Sequence, residues 1–213
     1  GTLFRLPAFL LLASASVVRA DVSADDLWFF ADFDRTAEMD GFAFTDPIDG
    51  GAFDEGRFGK GYRFVSDLKR ADGKFWVVKD RLRLSGFPFA AGTFSCWFRS
   101  PEEHLGEIYA PGFGFCAPWK LNWVWRGDSF RIGTNRKDLV SIKGWKRSTA
   151  WRHFAAVWDA EAVTLYLDGE RVASSPTPER PDLSRVENAV FRIGSGFDGS
   201  PPANQTLDEI AVF

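Results

Sequence analysis

Short segments of alternating apolar and polar residues recur along this chain, and turn residues separate them. The clearest pair is residues 163–167 and 170–172, which flank Asp168-Gly169. Asp-Gly between two such segments is a strong hairpin signal, because both turn positions favour positive φ. After the N-terminal segment, no long apolar period of 3.6 residues is visible. The pattern therefore predicts an all-β domain, either a sandwich or a barrel.

The composition agrees with strands and excludes one class of partner. The chain has 22 Phe and 9 Trp, and aromatic residues suit the pleated, half-buried surface of a sheet. The formal net charge is only −3, and no basic stripe with interleaved aromatic residues is present. We therefore expect no nucleic-acid partner. No internal linker or repeat divides residues 21–213, which predicts a single domain.

Residues 1–20 differ from the rest of the chain. Arg5 precedes an uncharged apolar run over residues 6–18, and Ala20 stands before the polar stretch that begins at Asp21. This order is typical of a secretory signal peptide. The run is shorter than the roughly 20 apolar residues that cross a bilayer. We therefore expect a signal peptide, no membrane span in the mature chain, and a secreted, periplasmic or cell-surface location.

Export would permit a disulfide bond between the two cysteines, Cys96 and Cys116. Both lie in alternating segments. If these segments formed a hairpin that turns near residues 104–106, the two sulfur atoms could face each other. The alternative is that both are small, buried apolar residues without a bond. The sequence leaves both possibilities open.

Five distinctive segments follow one another along the chain: GRFGKGYRF (56–64), FSCWFR (94–99), WRHFAAVWD with LYLDG (151–169), FRIG (191–194) and LDEI (207–210). Their order and spacing across residues 25–213 resemble the laminin-G-like, concanavalin A-like lectin/glucanase jelly rolls. The resemblance implies a jelly-roll sandwich of two antiparallel sheets. It also implies a module that binds glycans or extracellular proteins, often with calcium, while related sandwiches hydrolyse or cleave polysaccharides.

Calcium is the one metal that the sequence favours. Hard cations need several oxygen ligands, which carboxylates and turn carbonyls can supply. The first and last strands of the resembled fold are neighbours, so Asp34 and Asp208 could share a Ca²⁺ ion with carbonyl groups of the Gly50-Gly51 turn. The alternative is that Asp208 and Glu209 are ordinary polar strand residues.

Four tryptophans in the middle of the chain are the candidate glycan-binding residues, because an indole face can stack on the apolar face of a sugar ring. Trp119 and Trp145 lie beside Pro118 and Gly144, which predicts exposed loops. Trp123 and Trp125 alternate in one predicted strand, a pattern that favours the core over a ligand site.

No complete catalytic motif is present. Glycoside hydrolysis needs two carboxylates across a cleft, and the nearest approach, Glu38-Met39-Asp40, is more typical of a solvated loop. We therefore expect a secreted, non-catalytic carbohydrate-binding or adhesion module within a larger extracellular protein. The alternatives are a glycoside hydrolase or polysaccharide lyase on the same sandwich, and a structural protein–protein interaction module.

Overall fold

A computed structural model describes residues 26–34, 52–64, 82–83, 90–105, 109–116, 120–126, 129–134, 137–143, 146–176, 190–193 and 204–213. These ranges contain a short 3-10 turn at Glu102–His104 and fourteen strands: β1 (Phe29–Ala31), β2 (Ala52–Glu55), β3 (Lys60–Phe64), β4 (Leu82–Arg83), β5 (Gly92–Arg99), β6 (Tyr109–Cys116), β7 (Lys120–Arg126), β8 (Ser129–Thr134), β9 (Lys137–Lys143), β10 (Arg152–Trp158), β11 (Ala162–Leu167), β12 (Glu170–Pro176), β13 (Val190–Ile193) and β14 (Gln205–Val212).

The strands form two antiparallel sheets. The eight-stranded sheet has the order β12-β11-β10-β5-β14-β3-β2, with β1 also paired to β14. The six-stranded sheet has the order β4-β13-β6-β7-β8-β9. Strands β11 and β12 of the first sheet contact β9 of the second. The predicted two-sheet antiparallel jelly-roll sandwich is confirmed.

The core lies between the sheets, as the alternation of apolar residues predicts. Phe154 of β10 is opposite Cys96 of β5 on one side and Leu167 of β11 on the other, and all three are buried. Burying one large apolar side chain contributes roughly 1.5–3 kcal/mol. The largest fully buried side chains are Trp158, Phe33, Phe64, Phe94 and Phe154.

The β11–β12 hairpin forms where the sequence predicted it. Asp168 and Gly169 both have positive φ, 50° and 84°, as a tight two-residue hairpin turn requires. Strands β7 and β8 form a second hairpin, in which Arg126 pairs with Ser129. For the β11–β12 hairpin, the two turn residues were sufficient to predict the structure.

The two cysteine segments do not form the hairpin that a disulfide between them would have needed. Strand β5 belongs to the eight-stranded sheet and β6 to the six-stranded sheet, so the chain passes from one sheet to the other between them. Cys96 is a free, buried thiol, and burial raises its pKa well above the ordinary value. The disulfide is therefore not formed, and the alternative of a small buried residue holds for Cys96.

Strand β14 changes partner along its length. Residues 205–207 pair with β3, whereas residues 210–212 pair with β1. Between them the register with β5 shifts, and Glu209 adopts a φ of 48°, which is uncommon for a residue with a side chain. All eight residues of β14 are buried. The switch places Asp208 and Glu209 where β3 and β1 meet.

Several predictions fall on residues outside the described ranges: the signal peptide at residues 1–20, the Glu38-Met39-Asp40 motif and the Gly50-Gly51 turn. Among the described residues, no helix is long and apolar enough to cross a membrane.

Candidate functional site

The partner switch of β14 creates a buried acidic site. The Oδ2 atom of Asp208 accepts hydrogen bonds from the backbone N–H groups of Arg57, at 2.7 Å, and Phe58, at 2.9 Å. Its Oδ1 atom accepts one from the N–H of Glu209, at 2.9 Å. Asp208 is therefore a buried carboxylate that holds the connection between β2 and β3.

The same connection, residues 56–60, is held from its other side by Asp34. The Oδ1 atom of Asp34 accepts a hydrogen bond from the backbone N–H of Lys60, at 2.8 Å. The N–H of Gly56 donates to the carbonyl of Gly59, which closes the turn. Asp34 and Asp208 therefore bind one five-residue segment, although they are far apart in the sequence.

Glycine is required at both ends of this turn. Gly59 has a φ of 71°, and a Cβ atom there would overlap the carboxylate of Asp34. A Cβ atom at Gly56 would lie 2.5 Å from the carbonyl carbon of Lys60 and 2.8 Å from Oδ2 of Asp208. The glycine spacing that contributed to the family resemblance is thus explained by the close approach of two carboxylates.

Burial and neighbouring carboxylates raise the pKa values of Asp208 and Glu209. Burial raises the pKa of Glu209 to about 7, and the negative charges of Asp208, Asp32 and Asp34 add to this. Burial also raises the pKa of Asp208 to about 6, although its three backbone hydrogen bonds oppose the shift. We call Asp32, Asp34, Asp208 and Glu209 the carboxylate cluster. It concentrates negative charge without a described cationic partner.

The chemistry of this cluster fits a hard cation. The Oε2 atom of Glu209 is buried and has no hydrogen-bond partner among the residues that the structure describes, which is costly unless another group balances it. A cation would relieve both the unpaired oxygen and the mutual repulsion. Among the described residues, however, no three Asp, Glu, His or Cys side chains already have the spacing of a metal centre.

Sequence reasoning selected Asp34 and Asp208 but treated Glu209 only as a polar strand residue. A usable signal was present, because Asp208 and Glu209 are consecutive carboxylates inside the apolar segment 207–213. In a regular strand two consecutive residues face opposite sides. Only the register shift and the positive φ of Glu209 bring the second carboxyl group toward the cluster, and these depend on the pairing with β1 and β5.

The structure places two of the four candidate tryptophans. Trp123 and Trp125 lie in β7, which is flanked by β6 and β8 in the middle of the six-stranded sheet. Trp119 and Trp145 are outside the described residues. They flank described strand ends in the sequence, since Lys120 begins β7 and Lys143 ends β9.

A buried arginine fixes the segment that follows Trp145. Arg147 is 8% exposed, and its Nε donates to Oγ of Ser100 at 2.8 Å. One terminal nitrogen donates to the carbonyl of Asn204 at 2.9 Å. The segment after β9 is thereby attached to the ends of β5 and β14.

The fold and the strand order define a two-sheet antiparallel β-sandwich of the lectin type. The family model of the concanavalin A-like lectin/glucanases superfamily matches residues 78–213. The chain belongs to this superfamily. A search of curated proteins gives no significant sequence match.

Solved structures share the fold at low sequence identity. Domain 4 of AbnA, a GH43 extracellular arabinanase from Geobacillus stearothermophilus solved in complex with arabinotriose, is 22% identical with a TM-score of 0.61. That match covers 88% of this chain and 91% of the domain. A sialidase from Trypanosoma rangeli, in complex with the inhibitor DANA, is 16% identical with a TM-score of 0.51 and covers 76% of this chain. Only 27% of the sialidase is covered, so the likeness concerns one part of that enzyme.

Proposed function

We propose that this chain is a secreted or surface-located, non-catalytic glycan-binding module of a larger extracellular protein. The observation that carries the proposal is the match of residues 78–213 to the concanavalin A-like lectin/glucanases superfamily, together with the position of Trp119 directly before β7. Indole rings are the side chains best suited to stack on pyranose or furanose rings. The arabinotriose bound by the similar arabinanase domain supports the same ligand class.

Trp119 and Trp145, which the sequence predicts to lie in loops, would act separately. Strand β7 begins beside Cys116 and ends beside Ser129, and β9 ends beside Ser129 as well. Lys120 and Lys143 therefore lie at opposite ends of the six-stranded sheet. A glycan chain that contacted both Trp119 and Trp145 would extend along the sheet, which favours a polysaccharide over a single sugar.

The burial of Asp208 and Glu209 supports a non-catalytic role. Asp208 and Glu209 have raised pKa values, as catalytic acids often do. However, Asp208 is completely buried and Glu209 is 6% exposed. A general acid must reach within hydrogen-bond distance of its substrate. These two carboxylates would not reach a polysaccharide.

We further propose that the carboxylate cluster holds Ca²⁺. Asp34 and Asp208 would be ligands, as the sequence suggested. Oε2 of Glu209, which has no hydrogen-bond partner within the described ranges, would be a third. The ion would neutralise the cluster and fix residues 56–60 against β14. Its role would therefore be structural, and it would support binding rather than take part in a reaction.

Trp119→Ala and Trp145→Ala should each weaken glycan binding at least tenfold while leaving the melting temperature nearly unchanged. An aromatic residue that anchors a ligand contributes a large share of the affinity, whereas an exposed residue contributes little to stability. A glycan array that includes arabinan identifies the ligand, and calorimetry on each variant measures the affinity. Because the two residues are separate, the losses should add in the double variant.

Trp158→Ala provides the matched control, since Trp158 is 1% exposed. It should lower the stability by about 3–5 kcal/mol. If the wild-type domain binds no glycan on the array, and both loop variants lose stability as Trp158→Ala does, the glycan-binding proposal is wrong.

A further inference from the structure

The connection between the two sheets at residues 144–151 carries an arginine that points into the protein. Strand β9 of the six-stranded sheet ends at Lys143, and β10 of the eight-stranded sheet begins at Arg152. In the described part of this connection, residues 146–151, Lys146 is exposed and Ser148 is half-buried, whereas Arg147 is only 8% exposed. Arginine is rarely buried unless its donors are engaged. The contacts of Arg147 therefore indicate what its burial achieves.

The guanidinium group of Arg147 bridges two strands of the eight-stranded sheet. Its Nε donates to Oγ of Ser100 at 2.8 Å, and one terminal nitrogen donates to the carbonyl of Asn204 at 2.9 Å. Ser100 directly follows β5, Asn204 directly precedes β14, and each is 1% exposed. Because β5 and β14 are paired at this end, one side chain is bound to two neighbouring strands.

Backbone contacts add to this attachment. The N–H of Ser100 donates to the carbonyl of Ser148 at 2.9 Å. The Oγ atom of Ser148 accepts a hydrogen bond from the N–H of Ala150 at 3.0 Å, which closes a turn before β10. Residues 147 and 148 are therefore attached to the end of the eight-stranded sheet by side chain and backbone together.

This attachment lies close in the sequence to a candidate glycan-binding residue. Lys143 is paired with Ser129 of β8, and Arg147 is attached to β5 and β14. Only residues 144–146 separate these two fixed points, and Trp145 is the middle one. Consecutive Cα atoms are about 3.8 Å apart, so so short a link leaves its middle residue few positions. Without the contacts of Arg147, one of the two fixed points would be lost.

We infer that Arg147 is a positioning residue for Trp145. It would hold the indole ring where a sugar ring binds, without contacting the sugar itself. A ring that is fixed before binding loses less conformational entropy when the ligand arrives, which raises the affinity. The inference rests on the proposed glycan-binding function and adds to it the residue that organises one of its two tryptophans.

The contacts of Arg147 are directional, as a positioning role requires. Its Nε and its terminal nitrogen donate to two acceptors on different strands, and the planar guanidinium group fixes the angle between these two donors. An apolar side chain of similar length could fill the same space, but it would not hold the connection to either strand.

A first experiment observes Trp145 without a ligand. The domain is labelled with fluorotryptophan, and the fluorine NMR signal of Trp145 is assigned by its loss in Trp145→Phe. Arg147→Met removes the donors and keeps an unbranched side chain. Val163→Ala is the control for a general loss of stability, because Val163 is fully buried and lies opposite Trp158, at the end of the sheet away from Ser100. We expect Arg147→Met to shift the Trp145 signal and Val163→Ala to leave it in place.

A second experiment measures binding to soluble arabinan by affinity electrophoresis, below the melting temperature of every variant. Arg147→Met should weaken binding about tenfold in the wild-type background and should have no further effect when Trp145 is already alanine. Combined with Trp119→Ala, its effect should add in full, because Trp119 is a separate contact. Val163→Ala should bind as the wild type does.

An unchanged Trp145 signal in Arg147→Met would overturn the inference. So would an equal loss of affinity from Arg147→Met in the presence and in the absence of Trp145, since the arginine would then act through some other part of the domain. If the wild-type domain did not bind arabinan, that result would count against the proposed glycan-binding function, and the fluorine signal would still decide whether Arg147 fixes Trp145.

Discussion

A Gly56→Ala variant is expected to unfold about 4–12 °C below the wild-type domain, which corresponds to a loss of about 2–3 kcal/mol. The added Cβ atom would lie 2.5 Å from the carbonyl carbon and 2.7 Å from the carbonyl oxygen of Lys60. Both are backbone atoms of an anchored strand and cannot rotate away. The turn must therefore open, which breaks the hydrogen bonds that Arg57 and Phe58 donate to Asp208. Thermal unfolding followed by circular dichroism measures the effect.

Gly169→Ala is the control for this prediction. Gly169 has a φ of 84°, but no atom lies within 4 Å of the position that a Cβ would take. The substitution should therefore show only the strain of positive φ, about 1 kcal/mol. Equal melting temperatures of the two variants would mean that the turn at residues 56–60 is not tightly packed against Asp208.

Calcium at one hundred times its dissociation constant should stabilise the domain by about 2.7 kcal/mol at pH 8, because a ligand of the folded state shifts the unfolding equilibrium by mass action. The gain should be smaller at pH 5. Glu209, with a pKa of about 7, and Asp208, with a pKa of about 6, are then mostly protonated in the folded state. Protons would compete with the cation for the same oxygen atoms. Melting curves in calcium and in chelator at both pH values make the comparison.

Without calcium, the stability of the domain should decrease as the pH rises, whereas the stabilisation by calcium should increase. Both pKa values are raised on folding, so the folded state binds more protons than the unfolded state between about pH 4 and pH 7. The contribution of these two groups to the free energy of unfolding therefore falls as the pH rises through this interval. Calcium, which binds the ionised carboxylates, should remove that fall.

Glu209→Gln distinguishes the destabilising effect of the buried negative charge from the stabilising effect of calcium. It removes one buried negative charge, so the metal-free variant should be more stable than the wild type at pH 8, while the calcium gain should disappear. Glu170→Gln, an exposed change of the same kind in β12, should leave both unchanged. Identical wild-type melting curves in calcium and in chelator at pH 8 would show that the carboxylate cluster does not bind calcium.

The sequence predicted those parts of the fold that local signals determine. Asp168-Gly169 specifies its hairpin because the turn needs only residues that accept positive φ. The connection after β5 carries no comparable signal. Whether the next strand pairs with β5 or joins the other sheet depends on the partners available in space, and β10 and β14 occupy both edges of β5. This competition explains why the two cysteine segments do not form the hairpin that a disulfide would have needed.

Only part of the candidate site could be predicted from the sequence. Asp34 and Asp208 follow from the expected pairing of the first and last strands, which the pairing of β1 with β14 confirms. The two consecutive carboxylates mark Glu209 as unusual, but its place in the cluster depends on a register shift inside β14 that the sequence does not predict. The exposure of Phe58 was also unpredictable, because a phenylalanine in the segment from Gly56 to Gly59 could equally well fill the core.

The hydrogen bonds from Arg57 and Phe58 to Asp208 join residues that are 151 and 150 positions apart in the chain. Contacts over such a separation form slowly, since a long loop must close before they contribute. We therefore expect residues 56–60 to adopt their native conformation only after β14 has docked, late in folding. A synthetic peptide of residues 52–64 would lack the two carboxylates that shape its turn. Hydrogen exchange at the Arg57 and Phe58 amides would consequently report the complete assembly of the eight-stranded sheet and not the formation of one hairpin.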